Sequence, residues 1–251
     1  MKIPKLLQLL RDNARAEKQP LRVEQSANAA HIYVYDVIDQ WWGASASALV
    51  DALKAVGDVP VHLHINSPGG DVFEGTAMAA AVAAHTAPVT AHIDGLAASA
   101  ATRVALAAQE VRIADSALFM IHNSWTLALG DKTELRATAD LLDKVDATIT
   151  ADYQRKTGAG ADQVVAWMNA ETWFTASEAL AAGFVDAIDP TSQSGDGAAT
   201  ARWNLSAYRN APAAALQAPA DPTVTNAALL AEQAARQLQA NRNRLRLLAP
   251  L

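Results

Sequence analysis

From Ala30 onward, stretches of alternating apolar residues give way to helically spaced ones and back again, several times over. Residues 32–38 (Ile-Tyr-Val-Tyr-Asp-Val-Ile) are β-branched and aromatic and predict a strand. Residues 44–55 predict a helix with Leu49, Leu53 and the following Val56 on one face. Residues 59–65 predict a strand in which His62 and His64 oppose Val61, Leu63 and Ile65. A helix over 71–84, a strand over 89–93, a helix of small residues over 99–108 and short strands over 111–113 and 118–122 follow. Leu135, Leu142, Val145, Ile149 and Tyr153, spaced by three, four or seven, predict a long helix over 133–153. Helices over 161–168 and 177–182, the latter stopped by Gly183, lead to a last strand over 184–188. This alternation predicts an α/β fold with a mainly parallel sheet and right-handed crossovers.

The ends break the rhythm. Residues 1–29 are charged and polar around one leucine cluster and read as a flexible N-terminal arm; 30–190 form the domain. Residues 191–225 are rich in Ser, Gly, Ala and Pro and read as linker, interrupted by a sticky spot at Trp203, Leu205 and Tyr208. Residues 226–251 return to a helical pattern carrying Arg236, Arg242, Arg244 and Arg246 against the single acid Glu232, a basic tail fit for docking or for solvation.

Composition narrows the function. The net charge of −6 argues against a general nucleic-acid binder. Without cysteine there is no disulfide, thiolate metal site or cysteine nucleophile. No stretch approaches the ~20 apolar residues of a membrane span, and the leucines near the start, with no cleavage site after them, read as a short amphipathic helix. A soluble cytoplasmic protein with no membrane partner is the expectation.

The chemistry-bearing residues then stand out. Ser99 sits among small residues after Gly95, where a strand-to-helix turn exposes a hydroxyl and leaves the Ala100 N–H free for an oxyanion. Gly69-Gly70 follows a neighbouring strand and offers the Gly70 N–H as a second donor, with adjoining backbone for an extended peptide. His122 ends a strand, where α/β folds place their sites, and is the best candidate base. His31, His85 and His92 lack supporting context, and no carboxylate or third histidine completes a metal site with His62 and His64. Glu171, Asp152, Asp162 and Asp115 are all available as the acid that orients the imidazole.

Four motifs occur together: Asn66-Ser67-Pro68-Gly69-Gly70, Gly95-Leu96-Ala97-Ala98-Ser99, Met120-Ile121-His122 and 174–186 (Phe-Thr-Ala-Ser-Glu-Ala-Leu-Ala-Ala-Gly-Phe-Val-Asp). In order and spacing, over roughly residues 30–189, the chain resembles the Clp protease proteolytic subunit family of the ClpP/crotonase superfamily. That resemblance implies repeated β-β-α units with a protruding handle helix at 133–153. It implies Ser99 as nucleophile, His122 as general base, and Gly70 and Ala100 as the oxyanion hole, with Gly69, Gly70, Leu96 and Asn123 binding substrate. The family's triad aspartate falls on Glu171. No metal or organic cofactor is implied. Self-association into a ring, heptameric or doubled, and an ATPase unfoldase partner are implied. Trp41-Trp42 and the handle helix read as contact surfaces or, equally, as monomer core.

The segments 35–43 and 170–174 further resemble the head-maturation proteases of tailed phages and prophages, which implies capsid or scaffold proteins as substrates and a prohead setting. The reading is therefore a serine endopeptidase acting through an acyl-enzyme. A crotonase-type acyl-CoA enzyme, a non-catalytic assembly protein on the same fold, and a serine–lysine peptidase using Lys132 or Lys144 are the rivals.

Overall fold

A computed structural model describes residues 4–13, 20–190, 203–212 and 234–243. Helix α1 (Lys5–Asn13) precedes strands β1 (Arg22–Gln25) and β2 (Ala30–Val34). Then come α2 (Ala46–Val56), β3 (Val61–Ser67), α3 (Val72–Ala83), β4 (Val89–Ala98), α4 (Ala100–Leu106), β5 (Glu110–Ala114) and β6 (Leu118–Ile121). The long α5 (Lys132–Thr157), α6 (Ala161–Ala170), β7 (Thr172–Thr175), α7 (Ala176–Ala181) and β8 (Ala187–Asp189) complete the order.

The main sheet runs β1-β2-β3-β4-β5-β8, parallel except for β1, as the alternation of strands and helices requires. Strand β4 is longer than its apolar core predicts. Its first half pairs with β5 and its second, Leu96–Ala98, diverges to pair with β6, which carries β7 antiparallel on its far side. Alanine and glycine carry little strand preference of their own, so this extension is imposed by the partner strand. Strand β7 was absent from the sequence expectation; four residues are too few to show a period.

Burial follows the alternation. Ala30, Ile32 and Val34 of β2 and Val61, Leu63 and Ile65 of β3 are buried against the helices. His31, His62, His64 and His92 share the opposite, half-exposed face and stack there, bonded to one another and to Asp94. The same core continues through Phe119, Phe174, Phe184, Trp167 and Tyr153, locking β6, β7 and α6 onto α5. Helix α5 starts at a capping box, Asp131 with Glu134, and stops at Gly158 in the left-handed conformation.

The ends depart from the flexible arm and linker expected of them. Leu6, Leu9 and Leu10 of α1 are buried, and β1 adds an antiparallel edge to β2. Leu205, Ala207 and Tyr208 are buried as well, packed with Leu9, Leu96 and Met120. Residues 234–243 of the basic tail are helical and dock on the chain itself through Gln237 to Asp71 and Asn241 to Thr126 and Leu127. The rest of the expected tail helix and of the 191–225 linker lies outside the described residues. No helix among the described residues is long and apolar enough to cross a membrane.

Candidate active site

Ser99 occupies the junction between β4 and α4 with φ 54° and ψ −123°. Among the described residues it and Glu171 are the two non-glycine residues with positive φ. Such conformations cost of order 1–3 kcal/mol and persist only where surrounding contacts enforce them. Here the Ser99 N–H donates to Met120 O at 2.9 Å. Its carbonyl accepts from Thr102 N and Thr102 Oγ1, and Thr102 Oγ1 meets the Tyr153 hydroxyl at 2.6 Å. The Ser99 hydroxyl makes no helix-capping bond and is left for other work.

That work is shared with His122. At the end of β6, His122 Nε2 stands 2.7 Å from Ser99 Oγ. Burial pushes the His122 pKa down to about 3, helped by the positive charges of Lys5 and Arg209. With the ring neutral, the hydroxyl donates and Nε2 accepts, the starting state for proton transfer from serine to imidazole.

The Gly69-Gly70 turn lies against this pair. A Cβ on Gly69 would stand 2.5 Å from Ala98 O and 2.8 Å from Ser99 Cβ, and one on Gly70 would stand 2.1 Å from Ile38 O. Only glycine permits the approach. Gly69 O accepts from Ile38 N and Asp71 N donates to Ile38 O, so this side of the turn is already paired within the chain. The Gly70 N–H, between these two bonds, and the Ala100 N–H take no acceptor among the described residues. Gly70, Ser99, Ala100 and His122 line one cavity of about 10 Å³, room for roughly one water.

The acids sort themselves. Glu171 is buried at the C-terminus of α6, and its Oε1 accepts from Asn210 N at 2.7 Å while Arg209 lies 3.8 Å from Oε2. Among the described residues it makes no hydrogen bond to His122, so the expected acid–imidazole contact is not formed in this structure; the Asn210 backbone N–H takes its place. Asp152 is committed to Arg103 of α4, at 2.6 and 3.0 Å. Asp162 and Asp115 are exposed, as are Lys132 and Lys144. The four stacked histidines belong to the sheet face, and His85 bonds Val59 O.

Of the expected substrate contacts, Asn123 bonds Asn169 through its Nδ2 at 2.7 Å, and Leu96 is buried beneath the 205–208 segment. Trp42 is buried and Trp41 partly so, both beneath Arg236. The sequence reading missed the aromatic surround of His122. Trp125 and Tyr208 meet its ring edge-on at 4.7 and 5.4 Å and stack on each other at 5.0 Å. The cluster at Trp203 to Tyr208 was the visible signal; its destination was not.

Residues 15–191 match the Clp protease family. The ATP-dependent Clp protease proteolytic subunit 1 of Protochlamydia amoebophila is 29% identical over 185 residues, covering 70% of this chain and 88% of that protein. Subunit 2 of Treponema pallidum is 31% identical over 128 residues, covering 50% of this chain and 64% of that protein. Among solved structures, a mutant of ClpP1 from Listeria monocytogenes matches with a TM-score of 0.55 at 21% identity, covering 64% of this chain and 91% of that one; at this identity the likeness concerns the fold. With the family matched from residue 15 to residue 191 and the ClpP-like fold present, this chain belongs to the Clp protease family.

Proposed function

We propose that the chain is a serine endopeptidase with Ser99 as nucleophile and His122 as general base. The observation that carries this reading is the 2.7 Å Ser99–His122 contact at a serine held in a strained turn. His122 takes the hydroxyl proton as Oγ attacks the scissile carbonyl, and the Gly70 and Ala100 N–H groups receive the oxyanion. His122 then protonates the leaving amine, and a water deprotonated by the same ring hydrolyses the acyl-enzyme. Glu171 is the proposed third member, orienting the imidazole once its carboxylate is released from Asn210. Gly69, Gly70, Leu96 and Asn123 form the floor and edge on which an extended peptide lies. These steps need no metal or organic cofactor.

The family's relatives are named as subunits of ATP-dependent proteases, which supports ring assembly and an ATPase partner for this chain. The exposed Leu129 and Leu135, at and near the start of α5, suit a contact between copies along the handle. Capsid or scaffold proteins are the proposed substrates, on the likeness of segments 35–43 and 170–174 to head-maturation proteases. A cytoplasmic setting goes with this role.

Intact mass after prolonged treatment with a fluorophosphonate tests the chemistry. One adduct per chain, absent in Ser99→Ala, is the expected result. A folded protein that never takes the label, whether intact or with the residues beyond 191 cut away, would overturn the reading.

A further inference from the structure

The chain's own segment 203–211 is seated on the motifs of the proposed site. Tyr208 donates its hydroxyl to Pro68 O at 2.6 Å, directly before the Gly69-Gly70 turn. Trp203 Nε1 donates to Asn66 Oδ1 at 3.0 Å, in the same motif, and Asn210 N caps the Glu171 carboxylate. Between these anchors Leu205, Ala207 and Tyr208 are buried on Leu96 and Met120. His122 is left only 8% exposed, and the space beside Ser99 holds about one water. With this segment seated, Tyr208 occupies the place beside Pro68 O and the His122 ring that an extended peptide on the Gly69-Gly70 turn would need.

We infer that residues 203–211 are an autoinhibitory cover, and that the intact chain is latent until they are displaced or cut away. This rests on the serine-peptidase reading. Three independent features agree with it. The segment lies beyond residue 191, where the family match ends, so it is an addition to the protease domain. It takes hold of Asn66, Pro68 and Glu171, each in or next to a motif of the proposed site, so covering and catalysis compete for the same groups. The closed packing also leaves the buried indole N–H groups of Trp125 and Trp173, on either side of Tyr208, without acceptors among the described residues. Unsatisfied buried donors disfavour the closed state and make the cover displaceable. A strongly depressed His122 pKa agrees as well, since a base works best with a pKa near the working pH.

The experiment measures the second-order rate of fluorophosphonate labelling at Ser99 by intact mass. Four full-length proteins are compared: wild type, Tyr208→Ala, Trp203→Ala, and a chain whose residues 192–199 are replaced by a site for a sequence-specific protease, before and after cutting. We expect wild type to label slowly and either point variant, or the cut chain separated from its released fragment, to label at least tenfold faster. A synthetic peptide of residues 203–211 should slow the cut enzyme again. Equal rates in intact, variant and cut forms, all modified on Ser99, would overturn the cover and leave the peptidase reading standing. No adduct on any form would overturn both.

Discussion

The carboxylate of Glu171 accepts the backbone N–H of Asn210 at 2.7 Å, while the imidazole it would serve in a triad is bonded through Nε2 to Ser99. One carboxylate thus faces two claims, holding the cover and orienting the base. Glu171→Gln keeps an acceptor for Asn210 but loses the charge that stabilises an imidazolium. Measured on the uncovered enzyme with a fluorogenic peptide, this change should lower kcat by about 10⁴-fold, against about 10⁶-fold for Ser99→Ala or His122→Ala. Unchanged kcat in Glu171→Gln would remove Glu171 from the catalytic set.

The His122 pKa, about 3 in the folded chain, lies below its ordinary 6.5. The unfolded chain therefore takes up the proton first as pH falls. The associated stability is fully present above pH 6.5 and is lost progressively as pH drops from 6.5 towards 3. Burial lowers His62 and His92 in the same direction, whereas Asp39, raised to about 6 by burial, opposes them between 3.8 and 6. The melting temperature of wild type should fall between pH 7.5 and 5, and His122→Gln should show a shallower fall. Parallel pH profiles for the two proteins would contradict this.

Gly70→Ala places a methyl group 2.1 Å from Ile38 O at a φ of 149°. The turn must move away from Ser99. Urea denaturation should show a loss of about 1–3 kcal/mol, and labelling of Ser99 in the uncovered enzyme should slow at least tenfold.

Asp152 neutralises Arg103, whose side chain is 8% exposed, and so ties α4 to the handle helix α5. Asp152→Ala leaves that guanidinium without its partner and should cost about 2–4 kcal/mol. At temperatures where the variant remains folded, its labelling rate should match wild type. A selective loss of labelling with unchanged stability would instead give Asp152 a part in the chemistry.

Leu135 is 46% exposed and Leu129 is 65% exposed, at the outer end of the handle. Leu135→Asp should lower the sedimentation coefficient of the assembled protein while leaving its far-UV circular dichroism unchanged. An identical assembly in both proteins would place the contact between copies elsewhere.

The strands carrying Ile32, Leu63 and Ile93 could be read from the sequence because the pleat alternates with period two and one face must leave water. Ser99, His122 and Gly69-Gly70 could be singled out too, as small residues at a turn, a histidine at a strand end and a glycine pair, and the fold brings them together around one cavity. What neighbours in space supply was not legible. Strand β4 continues through Leu96–Ala98 because β6 pairs with it, and residues 5–13 of the arm and 203–208 of the linker are held because Leu9, Leu205 and Tyr208 find a shared apolar surface. The partner of Glu171 was decided the same way. A buried carboxylate takes whichever donor the fold brings within hydrogen-bond reach, and the chain returning 39 residues later brings the N–H of Asn210.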